Sequence, residues 1–132
     1  MKKRSVWKKL VGKGYTIFDL GRPAVFLIPA KKLNKKLKNG ESVKKHLHRF
    51  LIKHFGPYTT STIPSFGFYK NNKGAIISDE CIEYEISFAG KKKIPVLIKK
   101  LAGLTRTIGE ECIYFKAGQY SCLILSKKKP SH

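Results

Sequence analysis

The sequence has few acidic residues, few arginines and no long apolar run, and each shortage excludes a class of protein. Only 8 side chains are Asp or Glu against 28 that are Lys or Arg, which leaves a net charge of +20 over 132 residues. No segment approaches the ~20 apolar residues of a membrane-spanning helix, and lysines interrupt the apolar stretch where a secretory signal would need continuity. We therefore expect a cytoplasmic protein.

Cysteine is also scarce. Cys81, Cys112 and Cys122 are odd in number, have no C-x-x-C spacing and lie in apolar, strand-like runs, which predicts buried, reduced thiols. No zinc-ligand spacing, Gly-rich phosphate loop or Ser-His-Asp arrangement is present in the sequence. The sequence thus predicts no metal and no cofactor, and it favours a binding protein over an enzyme without deciding between them.

The positive charge is what the sequence has in excess, and it is unevenly distributed. Residues 1–40 hold twelve basic and one acidic side chain, residues 41–90 six and five, and residues 91–132 ten and two. Such a field attracts polyanions, so we expect nucleic acid, RNA or DNA, as the partner. Because only four of the basic residues are Arg, binding should be largely independent of base sequence. The alternative is that the lysines only solvate the surface.

The residues predicted to contact phosphate come from the basic N-terminal segment, from the connection after the first strand and from the start of the second helix. They are Lys2, Lys3, Arg4, Lys8, Lys9, Lys31, Lys32, Lys35, Lys36, Lys91, Lys92 and Lys93. A membrane surface is the less favoured partner for the N-terminal segment, where Trp7 stands among lysines.

Hydrophobic periodicity predicts a single α+β domain over residues 15–126. Apolar or alternating runs predict strands at 24–30, 58–70, 75–89 and 110–126, with a short strand at 15–19, and helical spacing predicts helices at 41–55 and 91–106. Pro64 indicates that the first hairpin strand is an edge strand or is broken at this residue. This order predicts a two-layer, ferredoxin-like β-α-β-β-α-β sandwich with an antiparallel sheet and two helices on one face. Residues 1–14 are expected to form a basic segment with a short helix, and residues 127–132 a disordered basic tail.

Two short motifs resemble parts of nucleic-acid-binding families. Residues 25–28 (VFLI) and 66–69 (FGFY) resemble the two signature segments of the RNA-recognition motif, which implies base stacking on the sheet. His46 and His48 resemble the His-hydrophobe-His triplet of HUH endonucleases, which implies a shared metal ion. The competing interpretations are hairpin aromatics for the first motif and helix-surface histidines for the second, since residues two apart on a helix point in different directions.

Six of the eight acids fall into two clusters, which leaves alternatives to a binding protein open. Glu83, Glu85, Glu110 and Glu111 are the candidate catalytic residues of a metal-dependent nuclease or phosphodiesterase, if their strands converge. Pairing of Glu83 and Glu85 with lysines on neighbouring strands is the structural alternative. A third class is a non-catalytic interaction module that forms a homodimer through its open sheet face.

Overall fold

A computed structural model describes residues 7, 10, 12–90 and 92–126. The strands are β1 (Arg22–Pro29), β2 (Tyr58–Thr60), β3 (Ser65–Lys70), β4 (Ile76–Phe88), β5 (Ile113–Ala117) and β6 (Tyr120–Ile124), and the helices are α1 (Val43–Phe55) and α2 (Ile94–Ile108). Most of the predicted basic segment 1–14 and all of the predicted tail 127–132 lie outside the described residues. Neither described helix is long and apolar enough to cross a membrane.

The strands form one six-stranded antiparallel sheet in the order β2-β4-β1-β5-β6, with β3 also paired to β4. This confirms the predicted α+β sandwich of ferredoxin-like order. Strands β2 and β3 together occupy the place of one strand of the ferredoxin-like order. The regular strand is interrupted between Thr60 and Ser65, near Pro64. Strand β6 is an addition that extends the sheet beyond β5 through a tight turn at Gly118, whose φ is 60°.

Both helices pack on the same face of the sheet and enclose the core. Alternate residues of the central strand β1 are fully buried there, and Phe26 stacks on Tyr84 of β4 with ring centroids 5.1 Å apart. Apolar residues at helical spacing cover this face. From α1 they are Val43, Leu47 and Leu51, and from α2 Leu97, Leu101, Leu104 and Ile108. The alternation predicted for β4 is confirmed, since Tyr84 and Ile86 face this core.

Helix α1 begins where the sequence predicts a start, after a short connection rich in lysine. The Ser42 hydroxyl accepts a hydrogen bond from the backbone N–H of Lys45, which satisfies one of the free donors of the first turn. His46 and His48 lie in this helix and have different partners: His46 contacts Glu41 and Lys100, whereas the His48 ring lies 2.7 Å from the Tyr58 hydroxyl. The two histidines therefore share no metal site of the HUH type.

Three smaller expectations from the sequence are wrong. Residues 15–19 form no strand. Cys122, on the outermost strand β6, is exposed rather than buried, and Cys81 and Cys112 are only half-buried. The two segments that resemble the RNA-recognition motif do not form adjacent strands, because β1 pairs with β4 and β5 while β3 pairs with β4. Phe66 and Phe68 instead stand exposed on an outer strand.

Candidate active site

A cleft lies beside the end of the central strand β1, where the neighbouring strand β4 continues further. Strand β1 ends at Pro29, opposite Cys81, but β4 extends beyond this point to Ile76 with β3 as its partner. The chain turns away from the sheet after Pro29, so a gap separates this β3–β4 arm from the segment that leads into β5. The gap is an open cleft of about 560 Å³, within the range of small-molecule sites. It is lined by Lys31, Lys32, Lys35, Tyr69, Ile77, Asp79 and Glu110.

One wall of the cleft comes from the β3–β4 arm. Gly67 pairs with Asp79 and Tyr69 with Ile77, so strand alternation places Tyr69 and Asp79 on the same side of the arm. The Tyr69 hydroxyl donates a long hydrogen bond of 3.5 Å to Asp79 Oδ2. Partial burial raises the pKa of Tyr69, and the charges of Asp79, Glu110 and Glu111 raise it further. Tyr69 is therefore a protonated hydrogen-bond donor at neutral pH.

The opposite wall carries Glu110, which follows α2. Burial raises the pKa of Glu110; Lys32 opposes the rise, and the negative charge of Asp79 adds to it. The Lys32 ammonium lies 3.9 Å from Glu110 Oε1 and donates a 2.8 Å hydrogen bond to the carbonyl of Ile108. Lys32 is thus fixed at the end of α2, and Glu110 is a carboxylate whose affinity for a proton is increased.

Two thiols lie near the carboxylates of the cleft, and both are half-buried. Burial raises the pKa of Cys81, with Asp79 as the second cause, and it raises the pKa of Cys112, with Glu111 as the second cause. Both groups are therefore neutral thiols at pH 7, which does not suit them to nucleophilic catalysis.

The described basic residues that were expected to contact phosphate lie in two separate places. Lys31, Lys32 and Lys35 line the cleft, and Lys36 is exposed beside them. Lys92 and Lys93 precede α2, which starts near the other end of β1, where Arg22 pairs with Phe88. The eight residues of β1 span roughly 26 Å, so these two groups do not form one compact patch. The remaining predicted contacts lie outside the described residues: Lys2, Lys3, Arg4, Lys8, Lys9 and Lys91.

The four candidate acids are also divided. Glu110 lines the cleft, and the negative charge of Glu111 helps to raise the pKa of Glu110. Glu83 and Glu85, by contrast, are exposed on the sheet face away from the helices. Glu83 pairs with Leu27, and Glu85 pairs with Val25 and Thr59, so no lysine stands directly opposite either acid. No group of three or more His, Cys, Asp or Glu side chains within the described part of the chain is placed to hold a metal ion.

The sequence analysis named Tyr69 only within the segment that resembles an RNA-recognition signature, and it chose neither Tyr69 nor Asp79 as a site residue. A signal for both was present in the sequence, because the Asn-Asn-Lys-Gly turn at residues 71–74 sets the hairpin register and places them on the same side. In this turn Asn71 Oδ1 accepts hydrogen bonds from the backbone N–H groups of Lys73 and Ala75. The sequence did not indicate that Glu110, which follows Asp79 by 31 residues, lies close to this pair.

Comparison with known proteins identifies relatives in shape alone. No family model matches the sequence, and no curated protein matches it. A phage SAM lyase solved in complex with S-methyl-5'-thioadenosine has a TM-score of 0.58 at 11% identity, over 88% of this chain and 98% of that chain. A phage SAM lyase in the apo state has a TM-score of 0.54 at 13% identity, over 82% and 91%. At these identities the likeness shows that this chain shares their fold.

Proposed function

We propose that this protein is a lyase that cleaves S-adenosylmethionine in the cleft between the β3–β4 arm and Glu110. The observation that carries the proposal is the convergence of Tyr69, Asp79 and Glu110 around one cleft, with the pKa values of Tyr69 and Glu110 raised. The phage SAM lyases add support, because one of them shares this fold over 98% of its length.

The charge of the cleft fits a sulfonium substrate. S-adenosylmethionine carries a positive charge on sulfur, and a protein of net charge +20 repels cations in general. Asp79 and Glu110 provide negative charge at one place, and Glu111 contributes to the same local field. These carboxylates give a cationic ligand a favourable contact in the cleft, although Lys31, Lys32 and Lys35 also line it.

The reaction requires a group that accepts the electrons of the broken bond. It also requires a step that converts the four-carbon fragment into a stable product. Breaking the bond between sulfur and Cγ sends the bonding pair to sulfur, which becomes the neutral thioether of methylthioadenosine. Because a lyase adds no water, the released four-carbon fragment must lose a proton or close on its own carboxylate. Glu110, whose pKa is raised, is the group suited to accept a proton, and Tyr69 orients Asp79 by hydrogen bonding.

The test is the formation of methylthioadenosine from S-adenosylmethionine by the purified protein, followed by chromatography. We expect the wild-type protein to form it and Glu110→Gln to reduce the rate by roughly 10²- to 10⁴-fold, the usual range for a lost acid or base. Asp79→Asn should also lower the rate, because it removes a negative charge that attracts the sulfonium. Glu83→Gln is the matched control, because it removes an exposed carboxylate outside the cleft. No product from the wild-type protein, or an equal loss in the control, would overturn the proposal.

As a second function, we propose sequence-independent binding of nucleic acid by the exposed lysines. This function is supported by the small number of lysines whose charge is neutralised by a carboxylate. Among the described residues, the side chains within 4 Å of a carboxylate oxygen in an ion pair are those of Lys32, Arg49 and His46. Lys31, Lys35 and Lys36 remain exposed on one connection.

A gel-shift series with single-stranded RNA and DNA at increasing salt tests this second function. We expect affinity to fall steeply with salt, and Lys35→Gln/Lys36→Gln to reduce the slope of log affinity against log salt by about 0.7 to 0.9 per lost contact. A flat salt dependence would exclude the phosphate-binding mode.

A further inference from the structure

The cleft contains charges of both signs, and the ammonium groups of two of its lysines make no close contact with a carboxylate or carbonyl among the described residues. Lys32 is held by the carbonyl of Ile108 and by Glu110. Lys31 and Lys35 also line the cleft, but both are exposed, and neither side chain has a hydrogen bond or ion pair among the described contacts. Two free ammonium groups therefore face the same space as Asp79 and Glu110.

A ligand that carries both charges matches this arrangement better than a simple cation does. In S-adenosylmethionine the sulfonium and the α-carboxylate are joined by the short chain of Cγ, Cβ and Cα. A carboxylate held by two ammonium groups makes charge-assisted hydrogen bonds, which are stronger than neutral ones. The lysines that would repel the sulfonium then contribute to binding instead.

We propose that Lys31 and Lys35 form the subsite for the α-carboxylate of the substrate, opposite the acidic subsite of Asp79 and Glu110. This inference rests on the proposed lyase function and adds the substrate class: zwitterionic sulfonium compounds. It also explains how product leaves. Methylthioadenosine has lost both the sulfonium charge and the carboxylate, so neither subsite holds it.

A pair of uncleavable ligands isolates the carboxylate. S-adenosylhomocysteine and its decarboxylated form differ only in that group, and neither has a sulfonium. Titration calorimetry should show that the wild-type protein binds S-adenosylhomocysteine at least about tenfold more tightly than the decarboxylated compound. In Lys31→Met/Lys35→Met this preference should fall to less than about twofold, while the affinities for decarboxylated S-adenosylhomocysteine and methylthioadenosine stay unchanged.

Lys36→Met is the matched control for Lys35→Met, since each removes one ammonium group and Lys36 is an exposed neighbour that does not line the cleft. It should keep the full preference for the carboxylate. If the double variant folds poorly, Lys35→Met alone should remove part of the preference, and raising the salt concentration should weaken binding of S-adenosylhomocysteine more than that of the decarboxylated compound.

The failures of the two proposals are distinguishable. If methylthioadenosine forms but the wild-type protein shows no preference for the carboxylate, or Lys36→Met loses it equally, the lysine subsite is wrong and the lyase function stands. If no methylthioadenosine forms from S-adenosylmethionine, the lyase function is wrong, and the lysine subsite falls with it.

Discussion

The Tyr69 hydroxyl lies 3.5 Å from Asp79 Oδ2 and so links the two strands of the β3–β4 arm at the edge of the cleft. Both residues are on the part of the hairpin that extends beyond the central strand β1. This position leaves the pair accessible to a ligand while the arm holds its geometry.

Tyr69→Phe tests whether this pair positions the carboxylate for the reaction. Loss of the hydroxyl should lower the rate of methylthioadenosine formation roughly tenfold, since it removes a hydrogen bond to a charged group. Stability should change little, because Tyr69 is 44% exposed. Tyr114→Phe, at 39% exposure on another strand, is the control and should retain the full rate. Equal rates for the two variants would show that the Tyr69 hydroxyl has no part in the reaction.

Glu110 should make the stability of the protein depend on pH. Because its pKa is raised in the folded state, the folded protein binds the proton more tightly than the unfolded chain, and stability falls as pH rises through the folded pKa. Glu110→Gln removes this cost, so its Tm should exceed that of the wild-type protein by roughly 1–3 °C at pH 7. The difference should vanish below the ordinary carboxyl pKa of 4.5. A constant difference across this range would contradict the assignment.

Helix α1 provides a matched pair that tests the core. Leu47 is fully buried against the sheet, whereas Ile52 of the same helix is 49% exposed. Leu47→Ala should lower the free energy of unfolding by about 2–5 kcal/mol, because it leaves a cavity. Ile52→Ala should cost less than about 1 kcal/mol, since little apolar surface is lost. Urea unfolding followed by circular dichroism measures both, and similar costs would show that α1 does not pack as described.

Two glycines at the C-terminal half of α2 should respond to alanine with opposite signs. A Cβ at Gly103 would meet no atom within 4 Å, and alanine there should stabilise the helix by about 1 kcal/mol. Gly109 ends the helix with a φ of 73°, so alanine there should destabilise by about 1–2 kcal/mol. Thermal unfolding of the two variants measures the signs, and two changes of the same sign would contradict the helix end at Gly109.

The hydrophobic pattern was sufficient to predict the two layers of the fold. Alternation from Ile82 to Phe88 marked the core face of β4, and helical spacing from Val43 to Leu51 marked the buried face of α1. Pro64 marked the break between β2 and β3, because proline cannot donate to the sheet. These features depend on residues that are close together in sequence, and the sequence alone was therefore sufficient to predict them.

The candidate site was predicted only in part. Lys31, Lys32, Lys35 and Glu110 were identified from charge, but as members of two separate hypotheses, one for phosphate contacts and one for a metal site. Tyr69 was not chosen, since a tyrosine in a hairpin has many ordinary roles. The sequence did not indicate that cations and carboxylates line the same cleft.

Local pattern thus determined which residues form strands and helices and which of their faces are apolar, because periodicity and turn chemistry act over a few residues. The tertiary structure alone decided that the end of β1 opens a gap into which Asp79, Glu110 and the lysines of the next connection project. These residues come from distant parts of the chain, and the sheet order brings them together. The cleft therefore brings carboxylates and ammonium groups together, although basic residues dominate the protein as a whole.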